Sequence, residues 1–168
     1  CRPGELERHQ RRMDAALRIS RGVIANSRET LKDLQAYADR KALPMPPAIA
    51  AHLAPPLLPP PGSNPLGRPY FVMLGTIEPR KNHWMVLQVW RHLIEKQGSE
   101  APQLVIVGQR GWECENVVDL LERAEHVREH VIELPHCSDA ELATYLHHAQ
   151  ALLFPSFAEG YGLPLVEA

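Results

Sequence analysis

Prolines are the feature of this sequence that most restricts its fold. Nine of the 16 prolines fall between Pro44 and Pro65, and "LAPPLLPPPGSNP" holds six of them. Proline fixes φ and lacks an N–H, so neither a regular helix nor a central strand can form within "LAPPLLPPPGSNP". Such a run suits an extended, semi-rigid connector. We therefore predict a linker at residues 55–67, between one unit at residues 1–54 and another at residues 68–168.

The first unit carries about one βα repeat. "RRMDAALRIS" predicts a helix, "GVIAN" a short strand, and "SRETLKDLQAYADRK" a second helix opened by Asn26 or Ser27 as N-cap. "PAIAAHL" is compatible with one more strand. A single βα repeat is too small to bury a core of its own. We expect it to be the tail of a larger α/β domain, and the whole sequence to be a piece of a longer protein.

The second unit alternates apolar strand patterns with helical ones. Strands are predicted at "YFVMLG", "QLVIVG", "VIELP" and "ALLF" (Ala151–Phe154), and helices at "NHWMVLQVWRHLIEKQ", "ECENVVDLLERAEHV", "SDAELATYLHHA" and from Leu163 onward. Asn82 is the expected N-cap of the first of these helices, and Ser138 with Glu141 forms a capping box. This alternation predicts an α/β fold, with a Rossmann-like parallel sheet covered on both faces and incomplete at its C-terminal end.

Composition and charge exclude several classes of protein. No apolar run reaches the roughly 20 residues of a membrane span. Cys1, Cys114 and Cys137 have unrelated spacings, which argues against disulfides and favours a reducing, cytoplasmic setting. Residues 1–54 hold 10 Lys+Arg against 6 Asp+Glu, whereas residues 55–168 hold 8 against 14. The acidic second part lacks the basic field expected of a nucleic-acid binder.

Three loops of the second unit follow predicted strands, "GTIEPRKN", "GQRGWECEN" and "PSFAEGYG". The first and the last combine groups suited to a phosphorylated polyol. In an open parallel sheet, ligands bind at the carboxyl ends of the strands. "GTIEPRKN" offers Gly75 for a sharp turn, then Arg80 and Lys81 for a diphosphate just ahead of a helix. The alternative is that Arg80 and Lys81 are a solvent-exposed basic pair with no ligand, which the same sequence would allow. The loop "PSFAEGYG" supplies the second set of groups.

That second loop places two acids around a glycine-rich turn and a helix start. Gly160 and Gly162 permit close backbone approach, and Pro164 suits a first helical turn. Glu159 precedes the turn and Glu167 lies about one turn into the helix. The two carboxylates are expected to hold different parts of one elongated ligand, although an exposed acid and a helix-face acid would look alike.

"GTIEPRKNH" together with "SDAELATYLHHAQALLFPSFAEGYGLPLVEA" resembles the retaining GT-B glycosyltransferases of family 4. The E-x7-E spacing from Glu159 to Glu167 is their signature, and the resemblance covers residues 70–168 well and residues 20–54 loosely. It implies that Arg80 and Lys81 bind the donor diphosphate, Glu159 the transferred sugar and Glu167 the ribose. The implied catalytic residues are Glu159, Arg80 and Lys81. The implied donor-binding residues are Gly75, Arg80, Lys81, Glu159, Gly160, Tyr161, Gly162, Leu163 and Glu167, with backbone near Gly108 and Pro135–Cys137 around the base.

The resemblance also implies an activity. A hexose would pass from a nucleotide diphosphate-sugar to a glycan or lipid-linked acceptor with retention, as in polysaccharide biosynthesis, and "GQRGW" favours a mannosyltransferase with a GDP-sugar. Because Arg80, Lys81 and the helix start would stabilise the leaving diphosphate, no metal or other cofactor is expected. Whether Glu159 is a nucleophile or only binds hydroxyls stays open. Without most of the acceptor domain, this piece alone is expected to be inactive.

Several alternatives remain. The chain could be a non-catalytic α/β module that binds a nucleotide-sugar or a partner protein, whereas an NAD-type domain is disfavoured because no G-x-G-x-x-G follows the first strand.

His126 and His130 fit no standard zinc pattern. The basic first unit is compatible with peripheral binding at the inner membrane face, and an unfinished sheet edge with a homo-oligomer. Trp84 and Trp90 are expected to pack rather than to bind sugar.

Overall fold

The structure, a computed structural model, describes residues 4–168 except for the side chain of Glu5. Cys1 therefore lies outside the described residues. The chain divides into two compact units, Cys1–Ala54 and Pro55–Ala168. Each unit has its own parallel sheet.

The first unit pairs two short strands beside two helices. In chain order these are α1 (Glu5–Ile19), β1 (Val23–Ala25), α2 (Arg28–Lys41) and β2 (Ala48–Ala50). The two strands run parallel. Ser27 caps α2, because its hydroxyl accepts a hydrogen bond from the Thr30 amide at 3.0 Å. Of the two expected N-caps, Ser27 is therefore the one used.

The second unit is a parallel sheet with helices on both faces. Its strands are β3 (Tyr70–Leu74), β4 (Gln103–Val107) and β5 (Val131–Leu134), hydrogen-bonded in that order. Its helices are α3 (His83–Gln97), α4 (Glu115–Arg123), α5 (Glu125–His130), α6 (Asp139–His148) and α7 (Leu163–Glu167), with short 3₁₀ turns at Pro79–Lys81 and Gly98–Glu100. This confirms the predicted α/β architecture.

Alternate strand residues build two cores. On one face Met73, Leu104 and Ile106 pack among side chains of α3, α4 and α5. On the other face Val72 and Val105 pack among side chains that include those of α6. This is why the strands read as continuous apolar runs.

The segment after α6 is not a full strand, so the prediction of a strand at Ala151–Phe154 was wrong in extent. It shares one parallel bridge with β3, between Val72 and Leu152. The Val72 amide donates to the Ala151 carbonyl at 3.1 Å, and the Leu153 amide donates to the Val72 carbonyl at 2.7 Å. Pro155 has no N–H with which to extend this ladder. The segment nevertheless lies on the edge of β3 opposite β4, so the strand order reverses there.

Two further predictions about helices need correction. The single helix expected at "ECENVVDLLERAEHV" is two helices, because Ala124 has an extended backbone between α4 and α5. Asn82 stands at the N-cap position of α3 but has a left-handed backbone (φ 60°), and its side chain makes no capping bond. Capping needs an extended backbone at that position. The Asn82 amide side chain instead donates to the Pro155 carbonyl at 3.4 Å.

Other local predictions are confirmed. Ser138 and Glu141 form the capping box of α6, with the Glu141 carboxylate accepting from the Ser138 amide at 2.8 Å. Trp90 is buried and its indole N–H donates to the Pro102 carbonyl at 2.9 Å. Trp84, in contrast, is about half exposed.

The proline-rich segment runs along α6. The Gly62 amide donates to the Thr144 hydroxyl at 2.8 Å, and the His148 ring lies 2.9 Å from the Gly62 carbonyl. Among residues 4–168, no helix combines the length and apolar character needed to cross a bilayer.

Candidate functional site

Two loops meet at the carboxyl ends of β3 and of the segment beside it. The first, residues 75–82, follows β3, and the second, residues 155–162, precedes α7. The Phe157 amide donates to the Arg80 carbonyl at 2.9 Å, and the Arg80 guanidinium donates to the Ala158 carbonyl at 2.8 Å. Because the strand order reverses here, this is the position at which open parallel sheets bind ligands.

One carboxylate bridges both basic side chains of the first loop. Glu159 Oε1 lies 2.8 Å from Lys81 Nζ, and Glu159 Oε2 lies 2.6 Å from the Arg80 guanidinium. A second guanidinium nitrogen of Arg80 lies 2.6 Å from Glu78. The structure thus brings Arg80, Lys81 and Glu159 into a single ionic cluster, although about 80 residues of sequence separate the two loops.

Lys81 is an unusual member of this cluster because its side chain is only 9% exposed. Its ammonium lies 5.6 Å from the centre of the Phe154 ring, a cation–π distance. A buried ammonium needs a paired anion, since desolvation of an isolated charge is costly. Glu159 supplies that charge, so the two side chains depend on each other.

The electrostatics keep the cluster ionised. Burial raises the pKa of Glu159, but hydrogen bonds from Lys81, Ser156 and Arg80 together outweigh it and hold the pKa below the usual glutamate range. Burial lowers the pKa of Arg80, and hydrogen bonds to Glu159 and Glu78 more than reverse this. At neutral pH Glu159 is therefore a carboxylate and Arg80 a guanidinium.

Glu167 lies outside this ionic cluster. Its carboxyl group is half-buried on α7, and burial raises its pKa while the charge of Lys81 opposes the rise. Glu159 and Glu167 therefore differ in environment, one paired with two cations and the other partly desolvated. The prediction from the sequence, that the two carboxylates hold different parts of one ligand, is compatible with this difference.

Helix α7 starts at Leu163, as predicted, with Gly162 at its N-cap in a left-handed backbone (φ 89°). A side chain at that φ would be strained. Pro164 occupies the first turn of α7 and is buried. Three residues, Gly160, Tyr161 and Gly162, connect Glu159 to this helix. The predicted residues of the second loop therefore follow directly in sequence on Glu159, a member of the ionic cluster.

Glycines allow the loops to pack closely. Gly75 has φ 129°, and a Cβ there would lie 3.0 Å from Lys81 Cε. Gly108 has φ 153°, and a Cβ there would lie 2.2 Å from the Gly75 carbonyl oxygen. The sequence indicated Gly75 only for a turn, whereas the structure shows that it also makes room for the Lys81 side chain.

The sequence did not identify His83 and Arg110. His83 is 1% exposed at the start of α3, and burial followed by the charge of Lys81 lowers its pKa to about 4. Arg110 pairs with Glu133 of β5 at 2.8 Å and with Glu122 of α4 at 2.5 Å. The only sequence signal was their position, directly after "RKN" and within "GQRGW".

His130 and Cys114 make contacts of a structural kind. His130 is buried, and its Nδ1 lies 3.1 Å from the His126 carbonyl oxygen, an ordinary i, i+4 contact. The Cys114 thiol donates to the Gly111 carbonyl at 3.3 Å. Within the described part of the chain, no three His, Cys, Asp or Glu side chains are grouped so as to hold a metal ion.

The ionic cluster has a definite chemical capacity. Two cations converge on one carboxylate beyond the carboxyl end of β3, so an anionic ligand with several oxygens could replace that carboxylate on either cation. The displaced carboxylate would then be available as a hydrogen-bond acceptor for hydroxyl groups.

Comparison with known proteins gives relatives in sequence, a counterpart in fold and a matching family. The chain is 37% identical over 100 residues to the serotype-specific mannosyltransferase WbdA of Escherichia coli, covering 60% of this chain and 12% of that protein. It is 38% identical over 100 residues to the O-antigen chain mannosyltransferase B of Escherichia coli, covering 59% of this chain and 26% of that protein. This chain thus matches only a minor part of these curated relatives.

The fold also has a solved counterpart. The structure of TarM matches 96% of this chain with a TM-score of 0.68 at 14% identity, over 30% of its own length. At this identity the likeness concerns the fold alone, and it confirms the expected α/β fold of GT-B type.

Residues 58–168 match the family model of the glycosyl transferases group 1. This span contains both loops and the ionic cluster, and it is more than half of the chain. The chain belongs to the glycosyl transferases group 1 family.

Proposed function

We propose that Pro55–Ala168 binds a nucleotide diphosphate-sugar and that the full-length protein transfers its hexose to a glycan or lipid-linked acceptor. The observation that carries this proposal is the convergence of Arg80 and Lys81 on Glu159 at the strand-order reversal. A diphosphate offers the oxygens that an arginine fork and a compact ammonium bind well. Family membership supports the reaction type.

The roles proposed for the residues follow from their positions. Arg80 and Lys81 bind the diphosphate, and Glu159, once released from them, accepts hydrogen bonds from the transferred sugar. Glu167 binds the ribose, while the backbone of Gly75 and of residues 160–163 contacts phosphate and sugar. Backbone near Gly108 and Pro135–Cys137 surrounds the base.

Transfer with retention, as in family 4, is the proposed outcome. The bond from the anomeric carbon to the phosphate oxygen breaks with its electron pair, which leaves on the diphosphate. The acceptor hydroxyl attacks the same face and passes its proton to that phosphate oxygen. Arg80 and Lys81 stabilise the charge that develops there, so the proposal requires neither a metal nor another cofactor.

Mannose is the proposed hexose, and a GDP-sugar the proposed donor. Both curated relatives bear mannosyltransferase names, and their match includes about three fifths of this chain. The proposed process is polysaccharide synthesis on the cytoplasmic side of a membrane, where a lipid-linked acceptor would lie. Peripheral attachment to that membrane and a homo-oligomer belong to the same proposal. Residues 1–168 alone are proposed to lack transfer activity.

The test is donor turnover by the full-length protein. Arg80→Ala and Lys81→Met should each lower kcat/KM for the donor by about 10- to 100-fold, the range for hydrogen bonds to charged groups. Lys81→Met retains the apolar stem beside Phe154. Arg91→Ala is the control, since its pair with Glu95 is 3.8 Å long and exposed. Unchanged turnover and donor binding in both site variants would refute the diphosphate role.

A further inference from the structure

Arg110 makes a denser set of ionic contacts than any role in the proposed donor site explains. Its Nε and one terminal nitrogen bind both oxygens of Glu133 at 3.0 and 2.8 Å, and its other terminal nitrogen binds Glu122 at 2.5 Å. Glu133 lies on β5 and Glu122 on α4. The guanidinium therefore fixes the loop after β4 to two separate elements, in the paired geometry that arginine favours.

This loop is joined to the loop that carries Arg80. The Ile77 amide donates to the Gln109 carbonyl at 2.9 Å, and the Gly111 amide donates to the Ile77 carbonyl at 3.0 Å. Ile77 and Arg110 thereby form a parallel bridge beyond the ends of β3 and β4. Ile77 is completely buried, so this short ladder cannot shift without disturbing the core.

The ladder ends at the ionic cluster. Glu78 follows Ile77 directly, and its carboxylate binds the Arg80 guanidinium at 2.6 Å. A Cβ on Gly111 would lie 2.7 Å from Thr76 Cγ2 and 3.0 Å from the Ile77 carbonyl oxygen, so the two loops are in close contact. A continuous series of contacts thus leads from Arg110 through Ile77 and Glu78 to Arg80.

We propose that Arg110 is a positioning residue for the donor diphosphate: through the Gln109–Gly111 ladder it holds Ile77 and Glu78, and thereby Arg80, in the binding geometry. The inference rests on the proposed function, because it concerns the same ligand. Arg110 itself touches neither Arg80 nor Lys81 in the described contacts, so it acts through the loop and not on the ligand.

Exposure distinguishes this role from simple stabilisation. The Arg110 side chain is 39% exposed and its partner Glu122 is 56% exposed, so that pair adds little to stability, whereas the two-oxygen pair with Glu133 contributes more. Small displacements of a binding group, in contrast, strongly weaken binding and catalysis. Loss of Arg110 should therefore lower donor affinity by more than its modest effect on the melting temperature accounts for.

The experiment measures GDP and UDP binding by calorimetry, and Tm, in the full-length protein. For whichever nucleotide binds the wild type, Arg110→Ala should weaken binding about 10-fold, with Arg110→Lys intermediate because a single ammonium cannot hold both Glu133 oxygens. Arg123→Ala, which breaks an exposed pair with Asp119 on α4, is the matched control and should bind as the wild type does.

A double variant tests the route. If Arg110 acts through Arg80, then Arg110→Ala should cost far less affinity in an Arg80→Ala background than alone. Additive losses, an affinity unchanged in Arg110→Ala, or losses that follow Tm in every variant would overturn the positioning role alone. Absence of GDP and UDP binding by the wild type would overturn the proposed function, and this inference with it.

Discussion

Glu159 occupies both of the cations that the sequence assigned to a diphosphate. Its two oxygens bind Lys81 and Arg80 at 2.8 and 2.6 Å. A diphosphate that uses these cations must compete with that carboxylate. Glu159 would then move from the cations to the sugar when the donor binds. A free nucleotide diphosphate has no sugar to hydrogen-bond with the displaced carboxylate, so it would compete with Glu159 without that compensating contact.

Glu159→Gln should separate these two effects. The neutral amide competes weakly for Arg80 and Lys81, so GDP or UDP should bind more tightly to this variant. The gain in affinity should be several-fold, smaller than the factor of about 10 that a typical charged hydrogen bond contributes. Transfer should fall in the same variant. Calorimetry and turnover measured side by side test this, and weaker nucleotide binding in Glu159→Gln would contradict the competition.

His83 gives the site's neighbourhood a pH dependence. Burial and the charge of Lys81 lower its pKa to about 4 from an ordinary 6.5, so the unfolded chain binds a proton between these values and the folded chain does not. The titration of His83 should therefore lower the free energy of unfolding by about 2 kcal/mol between pH 7 and pH 5.

The measurement is urea unfolding at the two pH values. His83→Gln should remove most of that pH dependence, whatever its effect on absolute stability, since glutamine does not titrate. His92→Gln, an exposed position on the same helix, should keep it. Equal pH dependence in the wild type and in His83→Gln would show that His83 is not held neutral by the fold.

At the scale of elements, the sequence was informative where a signal is local. The capping box at Ser138 and the helix start at Leu163 depend on residues within one turn, and both are confirmed. Asn82 makes no capping bond because its backbone is left-handed, and its side chain donates to the Pro155 carbonyl instead. The break at Ala124 likewise has no glycine or proline to announce it.

The site shows the same division. Arg80, Lys81 and Glu159 could be selected from the sequence because parallel strands end at one edge of a sheet. Their direct pairing could not, since a spacing of 78 residues carries no information about side-chain direction. Arg110 was missed for the same reason, as its partner Glu133 lies on the next strand.

The junction of the strand-end loops depends on Gly108. Its backbone φ of 153° and the 2.2 Å approach of a Cβ to the Gly75 carbonyl oxygen exclude any side chain without movement of the loop. Gly108→Ala should lower the free energy of unfolding by about 1–3 kcal/mol, the range for a strained backbone position. Chemical denaturation measures this change.

Gly67→Ala provides the matched control, because no atom lies within 4 Å of a Cβ there. That variant should stay within about 0.5 kcal/mol of the wild type, as surface substitutions usually do. If Gly108→Ala and Gly67→Ala were equally stable, the close packing of the two loops would not hold in solution.

At the scale of the whole molecule, each unit is a parallel α/β structure, but only Pro55–Ala168 contains the ionic cluster. In that unit the chain crosses from β5 at one edge of the sheet to the far edge of β3. The crossing brings residues 155–162 beside residues 75–82. The fold thereby assembles the candidate site from two loops that are far apart in the sequence.

The most direct measurement is calorimetric titration of the full-length protein with GDP and UDP. The account predicts that one of them binds the wild type, and that the double variant Arg80→Ala/Lys81→Met loses at least about 100-fold in affinity. Arg91→Ala should retain wild-type affinity. Binding of neither nucleotide, or equal binding by the wild type and the double variant, would contradict the claim that this cluster holds the diphosphate.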